Sequence, residues 1–163
     1  MRYTIFILLA MLIYNGCKFV KNPLEPDSNQ TLSVSAVMDS IQYTFAVPKS
    51  TFGINDTLTA TITAYNQSSN TDTLTTGYNP SFYNWTLTND STGKTIMYGP
   101  AGADDVVMLV PIAVGKSRII YSISEAIADT SGAAVLPGKY VLRWNLNSAT
   151  TTLLWFNLNL TIQ

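Results

Sequence analysis

Asp104 and Asp105 are the one adjacent acidic pair in this 163-residue chain. They sit in a run of small residues, Gly99 to Asp105 (GPAGADD). Carboxylates and loop carbonyls of this kind are the donors Ca²⁺ takes, but the ion needs roughly six oxygens or more. Two carboxylates fall short, and a solvated loop is the simpler reading. Ser91 and Ser122 offer hydroxyls as nucleophiles, yet the chain has no histidine to activate them and no G-x-S-x-G turn. Gly99 to Gly102 is not followed by the lysine and serine that open a phosphate-binding helix. No catalytic residue, metal ligand or cofactor site is therefore expected, and the chain does not read as an enzyme. Charged residues are 12% and the net charge is −1, so no basic field exists to hold a nucleic acid.

The remaining reactive group is the thiol of Cys17, the only cysteine, which has no partner for a disulfide within the chain. Its position gives it another meaning. Arg2 supplies a short positive start, and Tyr3 to Ile13 is an apolar run too short to span a bilayer comfortably. Cys17 follows Gly16 directly after it. The arrangement resembles a bacterial lipoprotein signal, which implies a signal peptide over residues 1–16 and a lipid on Cys17. It also implies a home in the cell envelope, periplasmic or on the outer surface. Acyl chains contribute about 0.8 kcal/mol per buried methylene, so two or three would anchor the chain to the membrane durably. Residues 17–30, with Pro23, Pro26 and many polar side chains, then read as the lipidated cysteine and a flexible tether.

Residues 31–163 must hold whatever site exists, and their pattern is strand and turn throughout. Leu32, Val34 and Ala36 alternate with polar residues, as do Ile41, Tyr43, Phe45 and Val47 before Pro48. Leu58, Ala60, Ile62 and Ala64 share one face of the clearest strand, with Thr57, Thr59, Thr61 and Thr63 on the other. Tyr83, Trp85 and Leu87 lead through Asn89–Gly93 into a hairpin over Thr95 to Tyr98. Val106 to Val110 is an apolar run that Pro111 should end, and Ile119, Tyr121 and Ile123 form a further strand. In the closing strand, Leu154, Phe156, Leu158, Leu160 and Ile162 fall on one side.

Leu136-Pro137-Gly138-Lys139-Tyr140 fixes the frame. A tyrosine two residues past a Pro-Gly turn, opening a late strand, is the arrangement of a tyrosine corner. Tyr140, Leu142, Trp144 and Leu146 then face the core, and Val141, Arg143, Asn145 and Asn147 face water. Short alternating strands with a turn every ten residues or so predict an all-β, antiparallel Greek-key immunoglobulin-like β-sandwich. Trp85 and Trp144 are the candidates for its centre, where antibody domains carry a disulfide.

Three pieces extend this to a family. Leu58 to Asn66 is a strand ending in asparagine, Trp85 to Lys94 a strand running into a Gly-Lys turn, and Leu109-Val110-Pro111 with Gly115 precedes Pro137-Gly138-Lys139-Tyr140. Together they resemble the BsuPI family, the intracellular proteinase inhibitor domain with an immunoglobulin-like sandwich. Ile96-Met97-Tyr98 stands where that family has a tryptophan after the Gly-Lys turn. The resemblance implies a binding domain with a protein partner, a protease, and it assigns no reactive-loop residue here. A structural or adhesive envelope module is the alternative.

Two residue sets remain. Asn-x-Ser/Thr sequons occur at Asn29, Asn55, Asn66, Asn84, Asn89 and Asn159, as an Asn/Thr-rich chain generates by chance. Tyr78, Phe82 and Tyr83 flank Asn79-Pro80, and Trp155 falls opposite the core side of the last strand. Exposed aromatics of this kind let a partner or a sugar stack. Burial under a neighbouring loop is the plainer expectation for them.

Overall fold

The computed structural model describes residues 30–77, 83–99, 107–147 and 153–163. Cys17, Asn29, Asn79-Pro80 with Tyr78 and Phe82, and Asp104-Asp105 lie outside the described residues. Eleven strands account for most of the rest: β1 (Leu32–Met38), β2 (Ile41–Val47), β3 (Thr51–Phe52), β4 (Thr57–Asn66), β5 (Asp72–Gly77), β6 (Tyr83–Asn89), β7 (Thr95–Gly99), β8 (Val107–Ile112), β9 (Ser117–Ala126), β10 (Gly138–Asn147) and β11 (Leu153–Ile162).

They form a four-stranded sheet in the order β1-β2-β4-β9 and a five-stranded sheet in the order β3-β11-β10-β6-β7. A two-stranded ribbon, β5-β8, lies against β4 and β9 through β8. Every pairing is antiparallel except β3 with β11. The two larger sheets share one core. Phe45 of the first lies 5.9 Å from Trp144 of the second, and Trp144 stacks on Phe156 at 5.0 Å. Trp85, Tyr140, Leu142, Leu158 and Leu160 extend this layer. In β2, β4, β10 and β11 strand alternation builds it: alternate, mostly apolar residues go inside, and the residues between them face outward.

The corner is formed as its sequence predicts. Tyr140 is 2% exposed, and its hydroxyl donates to the Leu136 carbonyl at 2.7 Å. One expectation changes, and two features go beyond what the sequence announces. Pro111 does not end β8 but lies within it, opposite Thr73. A two-stranded ribbon leaves every strand a free edge, where the missing proline N–H costs nothing. Ile119, in β9, is 64% exposed. The register of β9 on β4 slips between Ile62 and Thr63, so Ile120 takes up an extra position and the residues before it change faces. β3, only two residues long, carries no period that could announce it, and is defined by its parallel pairing with Thr161 and Ile162.

Register also sorts the turns into two ends. Residue 30 leads into β1 beside the end of β2, where β3, the start of β4 and the tyrosine corner also lie. The β1–β2 turn and the start of β9 lie at the opposite end.

Candidate functional site

The outer face of the five-stranded sheet is built from the residues that alternation excludes from the core. One cross-strand row runs Trp155, Asn145, Asn84 over β11, β10 and β6. The next runs Asn157, Arg143, Thr86, Tyr98 over β11, β10, β6 and β7. A third holds Asn159, Val141 and Thr88. Adjacent strands are about 4.8 Å apart, so Tyr98 and the β11 residues bracket roughly 14 Å of sheet.

Two aromatic rings stand exposed at the two sides: Trp155 at 53% and Tyr98 at 54%. Arg143 connects the rows. Its guanidinium carbon lies 5.8 Å from the Trp155 ring centre, a cation–π distance, and its Nε donates to Asn157 Oδ1 at 3.1 Å. Arg143, the cation of these rows, is thus held by Trp155 and Asn157. At the centre, Asn145 Oδ1 is buried and has no hydrogen-bond partner among the described residues.

The expectation that Trp155 lies under a loop is corrected by its exposure; its place opposite the core side holds, since Phe156 next to it is buried. Arg143, Asn145, Asn157 and Tyr98 were not legible as a group. Alternation puts Arg143 and Asn145 on the wet face, but only register across four strands brings them to Trp155 and Tyr98.

The sequons divide by burial. Asn66 is fully buried and structural. Its Nδ2 donates to the carbonyls of Asn70 and Ile112, both at 2.8 Å, and its Oδ1 accepts from the Ser68 N–H at 2.8 Å. Asn89 Oδ1 accepts from the N–H groups of Ser91 and Thr92 and shapes the β6–β7 turn. Asn55, Asn84 and Asn159 are exposed.

Two carboxylates have depressed affinity for protons, and both brace turns. Asp129 is held at about 2 by its hydrogen bond from Lys94 at 2.6 Å, then by the hydroxyl and N–H of Ser131. Asp56 is lowered by Lys49 and then by the Gly53 N–H. Burial, with Asp72 and Asp39 nearby, pushes the Tyr43 hydroxyl up to about 12. None of these groups lies on the outer sheet face. Among the described residues, no cluster of three or more His, Cys, Asp or Glu side chains could hold a metal ion.

No family model matches the chain, and no curated protein matches it. Among solved structures, a β-glucosidase from Erythrobacter marinus is similar at 11% identity and a TM-score of 0.45. The match covers 82% of this chain but only 16% of that protein. A likeness at that level carries no argument about this chain's activity.

Proposed function

We propose that the chain is a lipid-anchored binding domain of the bacterial cell envelope that takes its ligand on the outer face of the five-stranded sheet. The exposed row of Trp155, Asn145 and Asn84, braced by Arg143, is the observation that carries this reading. Its chemistry favours a neutral, hydroxyl-rich chain, such as an envelope glycan. Indole and phenol rings offer flat apolar surfaces, while amides both donate and accept. Arg143, the cation beside this row, is already engaged by Trp155 and Asn157.

The anchor is a lipid on Cys17, followed by the tether of residues 17–30. The sandwich is an immunoglobulin-like Greek key. Support for that topology comes from the order β3-β11-β10-β6-β7, the parallel β3–β11 pairing and the tyrosine corner. The second reading, proteinase inhibition, is favoured by that same corner, which carries part of the BsuPI resemblance.

Electrophoresis of the full chain through gels containing neutral envelope polysaccharides tests the first reading. Retardation should occur and should be lost in Trp155→Ala and in Tyr98→Ala. Retardation that survives both variants overturns the site. Stoichiometric inhibition of one protease in a panel, unchanged in Trp155→Ala, favours the second reading instead. Metabolic labelling with a fatty-acid probe tests the anchor, and label that persists in Cys17→Ser sinks it.

A further inference from the structure

Six of the eight aspartates are followed directly by Ser or Thr: Asp27-Ser28, Asp39-Ser40, Asp56-Thr57, Asp72-Thr73, Asp90-Ser91 and Asp129-Thr130. Hydroxyl residues number 35 of 163, a density that would put one or two beside eight aspartates. Turn chemistry explains part of the excess, because Asp and Ser are both favoured in turns. It explains the carboxylates better than the hydroxyls. Asp56 binds Lys49 and the Gly53 N–H, Asp72 accepts from the Thr73 N–H at 2.7 Å, and Asp129 binds Lys94 and Ser131.

The hydroxyls do no such work. Ser40, Thr57, Thr73, Ser91 and Thr130 are all exposed, and none of their side-chain oxygens makes a hydrogen bond among the described residues. Nearby hydroxyls do: Thr92 bonds Asn89, Ser131 bonds Asp129, and Ser68 bonds the Asn70 carbonyl. All five lie at strand ends or in turns, away from the paired strand interiors and from the Trp155–Tyr98 face. An enzyme can therefore reach each of them without unfolding a sheet, and a group added there leaves the candidate face open.

We propose that four of these hydroxyls, Ser40, Thr57, Thr73 and Ser91, are acceptors for O-linked sugars, with the preceding aspartate as the mark a transferase reads; Thr130 is left out because the Asp129 carboxylate before it is covered. In each transfer the hydroxyl oxygen attacks the anomeric carbon of a phosphate-activated sugar. The bond from that carbon to the phosphate oxygen breaks, the phosphate leaves with the electron pair, and a base of the transferase takes the hydroxyl proton. A sugar fits the sites better than a phosphate does. A phosphoryl group would set about −1.5 to −2 charges beside each carboxylate and compete for Lys49, whereas a neutral sugar is not opposed. The carboxylates of Asp39 and Asp90 make no hydrogen bond among the described residues, so they are free to meet a cationic group on a transferase.

The inference rests on the exported reading, so the test reads export separately. The full chain is purified from the membrane fraction of its own cells, with fatty-acid label on Cys17 scored alongside peptide mass spectrometry. Peptides carrying Ser40, Thr57, Thr73 and Ser91 should show mass increments of sugar residues, and Thr130, behind the covered Asp129, should not. Ser91→Ala should remove the increment at that site, while Asp90→Asn and Asp39→Asn should cut occupancy at Ser91 and Ser40 about tenfold, as loss of one charge-assisted contact does. Unmodified peptides from labelled, membrane-bound protein overturn the inference. So do phosphate increments, or occupancy indifferent to Asp→Asn. Sugar on an unlabelled chain supports the inference and sinks the Cys17 anchor alone, whereas an unmodified, unlabelled chain outside the envelope overturns both.

Discussion

Trp144 and Trp155 sit on adjacent strands one residue out of step: Trp144 pairs with Phe156, and Asn145 with Trp155. One indole is fully buried between the sheets; the other is about half exposed on the outer face. Composition and neighbourhood cannot separate them, but parity does, because a strand sends successive side chains to opposite sides. The same four strands thus make both the core and the candidate site. Inner positions answer to packing, while outer positions are free to answer to a ligand, so the two sets should respond differently to the same truncation.

The largest effect comes from cutting the two indoles. Trp144→Ala should cost about 3–5 kcal/mol of stability through the cavity beside Phe45 and Phe156. Trp155→Ala should stay within about 0.5 kcal/mol and lose ligand instead. Urea unfolding of both variants measures this, and similar losses would collapse the distinction between the faces.

Asn66 asks whether the interior demands apolarity or only satisfied partners. Its amide is buried and makes three side-chain hydrogen bonds that tie the end of β4 to the following loop and to β8. Asn66→Ala strands two carbonyls and one N–H, and should cost about 2–3 kcal/mol. A loss under about 0.5 kcal/mol in the same unfolding assay would mean that water replaces the amide, and that this part of the inside behaves like the outside.

What the sequence made legible follows from the range of each signal. Alternation is local, so β2, β4, β10 and β11 were readable with the right residues inside, and Pro137-Gly138-Lys139-Tyr140 announced its corner. The slip that exposes Ile119 was not, because a bulge depends on how β9 fits β4. Pro111 misled for a related reason: it breaks a central strand, and nothing local says that β8 belongs to a ribbon. The candidate face was half legible. Trp155 and Arg143 showed their parity, but the row joining Asn157, Arg143, Thr86 and Tyr98 spans four strands distant in sequence.

Tyr140 straddles the two regimes, with a buried ring and a hydroxyl bonded to the Leu136 carbonyl. Tyr140→Ala should cost about 3–5 kcal/mol, while Tyr140→Phe keeps the packing and should cost about 1 kcal/mol. No loss for Tyr140→Phe in thermal unfolding would assign the whole contribution to the ring and leave the corner's hydrogen bond without one.

The finest distinction is one of pH. Asp129 has its side chain almost wholly covered, yet it remains charged because Lys94 and Ser131 surround it. Its proton affinity in the fold corresponds to about 2, against 3.8 for an unperturbed aspartate. The unfolded chain therefore takes up this proton first as acid is added. Stability from the group is complete above about 3.8, drains away as pH falls toward about 2, and is flat below that. Asp56 is shifted the same way and adds to the same acid limb. Asp129→Asn should flatten part of the slope of unfolding midpoint against pH within that window, leaving the slope near neutrality unchanged. An unaltered acid limb would mean that the Lys94 contact is as well made by the unfolded chain, and that covered carboxylates at this end belong with the exposed surface rather than the interior.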